Sequence, residues 1–306
     1  MRRILRWIFL GVLGLVAGVV LYEGVILLRV SWLRSSNPSS TSLIDTRGYE
    51  ALSKGQQPKR DQVWVPLDRI STNLQRAVLA GEDVNFVTHH GFDYEAIQKA
   101  WEQAQLQAAR EAKSEGDDDD DWLPNFPDFK RGASTISQQL AKNLYLSSQR
   151  SFIRKGQEAI VTIMLERLLT KRRILEIYLN VIEWGDGIWG AEAASRNYFG
   201  VSATSLSREQ AALLAGAIIN PRVLNPARPN RRLLARQRII LGRMGGVEPP
   251  VPVPIPTPTQ DSTPAEPDVI PDSAAPDTEE LPAPDQIPSA QPAPTAEEVH
   301  TPATSR

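Results

Sequence analysis

The chain opens on a long apolar run. Residues 8–22 contain only Ile, Leu, Val, Gly, Ala, Phe and Tyr, and the run continues through residues 25–28 after Glu23. About 20 consecutive apolar residues are enough for a helix to cross a bilayer. The pattern therefore predicts a transmembrane helix, and we interpret residues 1–34 as a cytoplasmic start followed by a membrane anchor.

The charges that flank this run predict its orientation. Arg2, Arg3 and Arg6 precede it, and the positive-inside rule then places the start of the chain in the cytoplasm and the body outside. A cleaved signal peptide is the alternative, but the run is long for one and no Ala-x-Ala site follows it. Glu23 interrupts the run, so we expect it near the outer interface or against a functional partner.

Beyond the anchor, apolar residues recur with a spacing near 3.6 and predict a mainly helical body. In residues 157–180 they are Ile160, Val161, Met164, Leu165, Leu168, Leu169, Ile174, Leu175, Ile177 and Tyr178. Residues 207–210 resemble a capping box before another helix. Alternation of apolar and polar residues, the pattern of a strand, is nearly absent, and it predicts only one weak strand at residues 63–65. The glycine-rich residues 185–190 are predicted to be a loop.

The amino-acid composition divides the rest of the chain into a middle region and a C-terminal tail. The middle holds about 200 residues, enough for a single core. Residues 248–306 are dense in Pro, Ala, Thr, Ser, Asp and Glu, and such a tail is predicted to be disordered because it buries too little apolar surface. The chain has no cysteine, which excludes thiol catalysis, zinc–thiolate sites and disulfides. A net charge of −2 gives no general attraction to nucleic acid.

Acidic and histidine side chains are concentrated just after the apolar residues 77–80. Glu82, Asp83 and Asp93 lie here with His89 and His90, two of the three histidines. Apolar neighbours partly desolvate a carboxylate, which raises its pKa and suits it to proton transfer. The segment predicts an acid/base site. His89, His90 and Asp93 are candidate metal ligands, but their spacing does not match a known metal site. We instead expect His89 to hydrogen-bond within the loop and keep Glu82 in place.

A polar and cationic stretch follows at residues 131–158. Small residues at 132–135 allow a backbone to approach a ligand closely, and hydroxyls and amides at 134–139 are suited to sugars or phosphate oxygens. Four cations come next, and these are candidates for neutralising an anionic leaving group: Lys142, Arg150, Arg154 and Lys155. The alternative is a capped helix with a solvated basic face.

Five motifs in order resemble glycosyltransferase family 51, the peptidoglycan glycosyltransferases. They are Glu-Asp-x-x-Phe-x-x-His-x-Gly-x-Asp from Glu82, Gly-Ala-Ser-Thr-Ile-Ser-Gln-Gln from Gly132, Arg-Lys-x-x-Glu from Arg154, Ile-Leu-Glu-x-Tyr-Leu-Asn from Ile174, and a final motif ending at Asn225-Pro226. The resemblance covers roughly residues 45–245, and Ala133 and Ser137 resemble the monofunctional biosynthetic branch. It implies a lysozyme-like, mainly α glycosyltransferase domain, with an acidic insertion at about 103–130.

The resemblance also implies a reaction and its residues. The substrate would be lipid II, polymerised into glycan strands with release of undecaprenyl pyrophosphate. Glu82 matches the general base, Lys142 and Arg150 match the residues that stabilise the pyrophosphate, and Glu158 matches a second important carboxylate. The implied substrate-binding residues are Ser134, Thr135, Gln138, Gln139, Asn143, Arg154, Lys155 and Asp83. A divalent cation (Mg²⁺ or Mn²⁺) on the pyrophosphate is plausible, and Asp83 is the residue that would help to place it.

Several residues in these motifs have a structural interpretation. Phe86, Tyr178, Leu179 and Asn180 are expected to be core residues, and Glu176 is expected to orient Arg or Lys side chains. At the level of function, a lysozyme-like glycan-cleaving enzyme and a non-catalytic membrane scaffold are alternatives. Cleavage needs an acid that protonates the sugar leaving group, and the basic residues after Arg131 would not help a neutral leaving group. A scaffold would not need Glu82, Lys142, Arg150 and Glu158 together.

The resemblance extends to location and partners. It implies a single-pass protein of the bacterial inner membrane with its catalytic domain on the periplasmic side. Its partners would be lipid II, the growing strand and the bilayer, and no nucleic acid. Ser-x-x-Lys and Lys-Thr-Gly motifs are absent from the sequence, so transpeptidases and other cell-wall proteins would have to cross-link the strands.

Overall fold

The computed structural model describes residues 2–114, 134–146 and 151–251. Within them the chain is mainly helical, which confirms the predicted fold class. The helices are α1 (Arg2–Trp32), α2 (Ser42–Ser53), α3 (Thr72–Glu82), α4 (Tyr94–Ser114), α5 (Ile136–Tyr145), α6 (Phe152–Leu168), α7 (Lys171–Val181), α8 (Ala191–Phe199), α9 (Arg208–Ala217) and α10 (Arg231–Arg243). Short 3₁₀ turns occur at Leu67–Arg69, Ala203–Ser205 and Met244–Gly246.

Helix α1 divides into an exposed part and a packed part. Its 31 residues span about 46 Å at 1.5 Å per residue. The side chains up to Tyr22 are exposed, whereas Ile26 and Val30 are buried and α1 packs on α6. In the described part of the chain, α1 is the helix long and apolar enough to cross a membrane.

The body is built from two groups of helices that share one hydrophobic core. Helices α3, α9 and α10 pack together, and α5 packs against α6 and α7. Gly216 allows α9 to approach α10 closely, because a Cβ there would lie 2.9 Å from Leu233 Cδ1. The first group carries Glu82 and the second carries the polar face of α5, so the core fixes the two halves of the candidate site against each other.

The apolar pattern of residues 157–180 covers two helices. Helix α6 ends at Leu168, and Thr170 caps α7 by accepting a hydrogen bond from the N–H of Arg173 at 3.2 Å. Threonine is a preferred N-cap residue, so Thr170 is the local signal that a new helix starts. The break turns the chain, and Tyr178 then faces α5.

A small three-stranded sheet corrects two of the predictions. Strands β1 (Asp61–Gln62), β2 (Glu183–Gly185) and β3 (Ile188–Trp189) have the order β1-β3-β2, with β1 parallel and β2 antiparallel to β3. The predicted loop at 185–190 is therefore largely a hairpin, and the predicted strand at 63–65 lies after β1. Strands of two or three residues are too short for an alternating pattern to be seen.

Buried tryptophans stabilise this hairpin. Trp184 and Trp189 are fully buried, and the Asn180 side chain exchanges hydrogen bonds with the backbone N–H and C=O of Val65 at 2.9 Å each. Phe86, Tyr178 and Leu179 are buried as well, so the four expected core residues are confirmed as core.

Part of the predicted organisation falls outside the described residues. Helix α4 continues to Ser114, so the start of the predicted insertion at 103–130 extends a helix of the body. The acidic residues 117–121 of that insertion, and nearly all of the tail at 248–306, lie beyond the described ranges.

Candidate active site

Glu82 is the last residue of α3. Ser71 caps the start of the helix by accepting a hydrogen bond from the N–H of Leu74 at 3.2 Å, and the buried residues of α3 include Leu74 and Val78. Packing of that face brings the Glu82 side chain, 13% exposed, to the wall of a cleft of about 260 Å³. The negative end of the helix dipole disfavours a carboxylate at this position, so the fold holds Glu82 where its charge is costly.

Gln139 on α5 contacts Glu82 directly. Its amide Nε2 donates to Glu82 Oε2 at 3.0 Å, and its Oε1 accepts from the Tyr178 hydroxyl at 2.8 Å. Because a hydroxyl that donates to Oε1 fixes the orientation of the amide, the N–H of Gln139 points at Glu82. Tyr178 is fully buried, so a core residue acts on the site through Gln139. From the sequence, Tyr178 was expected to be a core residue only.

Arg236 on α10 is a second neighbour of Glu82. Its guanidinium lies 3.5 Å from Glu82 Oε1, and its Nε donates to the Gly216 carbonyl at 3.1 Å. Arg236 was not predicted from the sequence, because α10 carries several arginines and nothing local distinguishes this one. Only the packing of α10 on α3 and α9 reveals it.

The surroundings of Glu82 raise its pKa above the usual value. Burial is the main cause, and the negative charge of Asp83 adds to it. The hydrogen bond from Gln139 and the positive charges of Arg236 and Lys142 act in the opposite direction and limit the rise. A carboxylate with a raised pKa accepts a proton more readily than a solvated one, as the sequence predicted for this segment.

Asp83 is held by hydrogen bonds within the protein. Its side chain is buried, its Oδ2 accepts from the backbone N–H of Ile136 at 2.9 Å, and its Oδ1 lies 2.9 Å from His89 Nε2. His89 Nδ1 accepts from the Gly91 N–H at 3.1 Å, so the proton of a neutral imidazole is on Nε2 and is donated to Asp83. The prediction that His89 holds Glu82 is thus corrected: His89 holds Asp83, which ties the start of α5 to the end of α3.

The residues around Asp83 do not fit a protein-held metal ion. Both carboxylate oxygens already accept hydrogen bonds. Asp93, the other carboxylate of the loop, caps α4 by accepting from the Ala96 N–H at 2.9 Å. Across the described residues no group of three His, Cys, Asp or Glu side chains could hold a metal. We therefore assign no chemical step to a metal bound by Asp83.

The start of α5 shows how its polar side chains are used. Thr135 and Gln138 form a capping box, in which Gln138 Oε1 accepts from the Thr135 N–H at 3.0 Å. Thr135 Oγ1 also donates to the Gly91 carbonyl at 2.7 Å. These two predicted substrate-binding side chains therefore form hydrogen bonds within the protein. Ser134 and Thr135 both line the Glu82 cleft.

Lys142 and Asn143 lie further along α5 in a second cleft of about 320 Å³, which Gln139 also lines. The hydrogen bond from Gln139 to Glu82 thus joins a residue that lines the second cleft to one that lines the first. The side chain of Lys142 is solvent-accessible, and within the described ranges this side chain has no hydrogen bond or ion pair. Partial desolvation lowers its pKa, Glu158 and Glu82 act to raise it, and Arg154 and Lys155 act to lower it. Lys142 therefore presents an uncommitted cation within electrostatic reach of Glu82.

Glu158 on α6 is buried between two cations. Its Oε2 lies 2.8 Å from Arg154 Nη1, and its Oε1 accepts from Lys155 Nζ. The structure thus unites three predicted site residues in one ion-paired cluster, beside Lys142. Arg150, the fourth predicted catalytic residue, lies outside the described residues.

Glu176 has the expected supporting role. It forms an ion pair with Arg173, and its Oε2 accepts from the Leu67 N–H at 3.1 Å. Arg173 also donates to the carbonyls of Leu33 and Ser36 at 2.8 Å each. Glu176 therefore orients an arginine that ties the end of α1 to the body.

Glu82, a mostly buried carboxylate of raised pKa beside cations at the wall of a cleft, is the arrangement expected of a proton-transfer site. Comparison with known proteins specifies the class. A sequence profile described as Transglycosylase matches residues 49–116 and 123–245, most of the chain. The chain belongs to the transglycosylase family. This confirms the family predicted from the motifs.

Individual relatives are similar over most of their length. The chain is 47% identical to the biosynthetic peptidoglycan transglycosylase of Thiobacillus denitrificans over 254 residues, which cover 82% of this chain and 100% of that protein. It is 44% identical to the protein of the same name from Laribacter hongkongensis over 246 residues, 80% of this chain and 100% of the relative. The protein of that name from Nitrosomonas eutropha is 43% identical over 238 residues, 78% of this chain and 90% of the relative.

Proposed function

We propose that this transglycosylase polymerises lipid II into peptidoglycan glycan strands and that Glu82 is its general base. The observation that carries the proposal is the environment of Glu82: a mostly buried carboxylate of raised pKa at the wall of a cleft, accepting a hydrogen bond from an oriented Gln139 amide. The relatives are named for peptidoglycan transglycosylation, and the residues around Glu82 are chemically suited to that reaction.

The proposed step is a glycosyl transfer. The 4-hydroxyl of one saccharide attacks the anomeric carbon of another and transfers its proton to Glu82. The new bond joins this oxygen to the anomeric carbon, and the bond between that carbon and the phosphate oxygen breaks. The electron pair leaves with the lipid pyrophosphate. Gln139 would hold the Glu82 carboxylate in place for the proton transfer, and Tyr178 would hold Gln139.

Stabilisation of the leaving group is assigned to the second cleft. Pyrophosphate leaves as an anion, so a cation can stabilise it without donating a proton. Lys142 lines that cleft and is not engaged in an ion pair within the described residues, whereas Arg154 and Lys155 are paired with Glu158. We assign the pyrophosphate contact to Lys142, with Arg150 as its predicted partner. In glycan cleavage the leaving group is a neutral sugar hydroxyl, which these cations would not stabilise.

The role of Glu158 follows from the same arrangement. Its negative charge holds Arg154 and Lys155 next to Lys142 and acts to raise the pKa of Lys142. We propose that Glu158 keeps this cationic wall in position and keeps Lys142 protonated. A divalent cation, Mg²⁺ or Mn²⁺, would bind to the pyrophosphate of the substrate and not to Asp83, whose oxygens accept hydrogen bonds from the protein.

Among the described residues one helix is suited to membrane anchoring, and its location and orientation are proposed here. Helix α1 is exposed and apolar up to Tyr22. With Arg2, Arg3 and Arg6 before the apolar run, we propose that α1 spans the inner membrane and that the body faces the periplasm. Its products would be cross-linked there by separate transpeptidases.

The test is polymerisation by the full chain in detergent, with fluorescent lipid II as substrate. We expect glycan strands that a muramidase degrades, together with released undecaprenyl pyrophosphate. Shortening of preformed strands without polymerisation would identify a cleaving enzyme, and no reaction with either substrate would identify a scaffold. Single cysteines introduced at residues 5 and 60 test orientation in a chain that has none: a membrane-impermeant thiol reagent should label only residue 60 in spheroplasts.

A further inference from the structure

A cavity of about 440 Å³ lies where α1 meets the body, apart from Glu82. Its walls come from the last turns of α1, the segment 38–49 and the end of α5. It shares Thr46 with the second cleft and no residue with the cleft of Glu82. The proposed glycosyl transfer uses none of its charged groups.

This cavity lies at the level where the exposed apolar part of α1 ends. Exposed large apolar side chains of α1 continue to Leu28, and Arg29 follows directly. Trp32, which also lines the cavity, is 58% exposed. Tryptophan is enriched at the boundary between membrane and water. With α1 in the bilayer, lipid head groups are therefore at the height of this cavity.

A positively and a negatively charged side chain line the cavity and do not form an ion pair with each other. Arg29 and Asp45 both face it, yet they form no ion pair within 4 Å. Among the described residues the Arg29 side chain has no hydrogen bond or ion pair, while Asp45 accepts a hydrogen bond from the Ser40 hydroxyl. Tyr145 lines the same cavity; burial raises its pKa to about 12, and the Arg29 charge acts to lower it. The cavity therefore offers a cation and an anion to one ligand.

We propose that the cavity binds the head group of a zwitterionic phospholipid with a primary ammonium, phosphatidylethanolamine. The phosphate would pair with Arg29, the ammonium with Asp45, and Trp32 would lie at the glycerol level. An anionic head group such as phosphatidylglycerol would meet the uncompensated Asp45. The quaternary ammonium of phosphatidylcholine has no N–H to donate to the carboxylate. The inference rests on membrane anchoring and not on lipid II chemistry.

The first test needs no variant. Full-length protein in detergent is titrated with phosphatidylethanolamine, its N-monomethyl and N,N-dimethyl forms, phosphatidylcholine and phosphatidylglycerol of identical acyl chains, and bound lipid is measured by native mass spectrometry. Affinity should fall along the methylation series, by about tenfold from first to last, as expected for a lost hydrogen bond between charged groups. Equal retention of all five lipids, or preference for phosphatidylglycerol, would overturn the proposal.

Variants then assign the contacts. Asp45→Asn should remove the difference between phosphatidylethanolamine and phosphatidylcholine, and Arg29→Ala should weaken both. Arg34→Ala and Glu95→Gln change exposed charges that do not line the cavity and should leave the preference intact. Loss of the preference in these controls, or displacement of the bound lipid by lipid II, would contradict a separate phospholipid site. Melting temperatures verify folding, and polymerisation in detergent should be unchanged in all four variants.

Discussion

At the scale of single residues, the chemistry of this protein depends on a carboxylate placed where its charge is unfavourable. Glu82 lies at the end of a helix, beside Asp83 and largely out of water, and Gln139 and Arg236 compensate only in part. A solvated carboxylate would be more stable and a weaker base. The arrangement favours proton transfer over stability.

Replacing Glu82 tests its role directly. Glu82→Gln keeps the shape and can still accept a hydrogen bond from Gln139, but it cannot take a proton. Polymerisation should fall by about 10²–10⁴-fold, while binding of lipid II, measured by fluorescence anisotropy, should persist. Glu95→Gln, on the exposed face of α4, is the matched control and should retain activity. Near-normal turnover by Glu82→Gln would remove it from the catalytic residues.

The pH dependence of kcat/KM provides a second test. Burial raises the pKa of Glu82, which must be deprotonated to act, so activity should rise with pH through a value above the ordinary 4.5. Burial lowers the pKa of Lys142, which must be protonated, so activity should decline again below the ordinary 10.5. Lys142→Arg should move the alkaline limb to higher pH, since arginine stays charged. An alkaline limb unchanged in that variant would mean that another group titrates there.

The charge of Lys142 can be separated from its contribution to folding. Lys142→Ala should raise the barrier of polymerisation by about 3 kcal/mol, the scale of a lost preorganised electrostatic donor. Its melting temperature should hardly change, because the side chain has no hydrogen bond or ion pair among the described residues. Lys99→Ala, an exposed lysine on α4, should affect neither quantity.

The role of the charge can also be tested at Arg150, which was predicted from the sequence to stabilise the leaving group. Arg150→Lys keeps the charge and should retain more activity than Arg150→Ala. Unchanged specific activity in either alanine variant, Lys142→Ala or Arg150→Ala, would exclude that residue from the leaving-group site.

At the scale of secondary-structure elements, the site depends on how helix ends are fixed. Asp83 joins the end of α3 to the start of α5 through the Ile136 N–H, and Thr135 joins α5 to the Gly91 loop. Thr170 separates α6 from α7, which allows Tyr178 to reach Gln139. The hydrogen bonds of Asp83 to the Ile136 N–H and of Thr170 to the Arg173 N–H pair backbone groups that a helix start would otherwise leave without a partner.

The junction between the hairpin and α8 gives a prediction at this scale. Gly190 has φ 81°, and a Cβ there would lie 2.7 Å from the Asn180 carbonyl. Gly190→Ala should therefore destabilise the body by more than the roughly 1 kcal/mol expected from backbone strain alone. Gly200→Ala is the control, because φ is 69° but no atom lies within 4 Å of the new Cβ. Chemical denaturation compares the two, and equal losses would show that the contact with Asn180 is not limiting.

At the scale of the whole molecule, the described body contains the entire candidate site apart from Arg150. Deleting residues 252–306 should therefore leave both the melting temperature and lipid II polymerisation close to those of the full chain, because a segment of that composition contributes no hydrophobic core. Both are measured on the same preparation. A large fall in melting temperature would show that the deleted residues pack on the body.

The sequence by itself determined the long apolar helix, the mainly helical class and the family, and it predicted most residues of the candidate site. These depend on local patterns: an apolar run, a 3.6 period, and short motifs such as the one from Glu82. It did not determine the hairpin at 183–189, whose strands are too short to show a period, or the partner of His89.

Only the tertiary structure decided how the site residues act on one another. Arg236 is about 150 positions from Glu82 in the sequence and becomes its neighbour because α10 packs on α3. Tyr178 fixes Gln139 across the packed α5 and α7, and Arg29 of α1 and Asp45 of α2 line one cavity although they are far apart in the sequence. Burial and charge at a residue are sums over neighbours brought together by packing, and a linear pattern does not contain those neighbours.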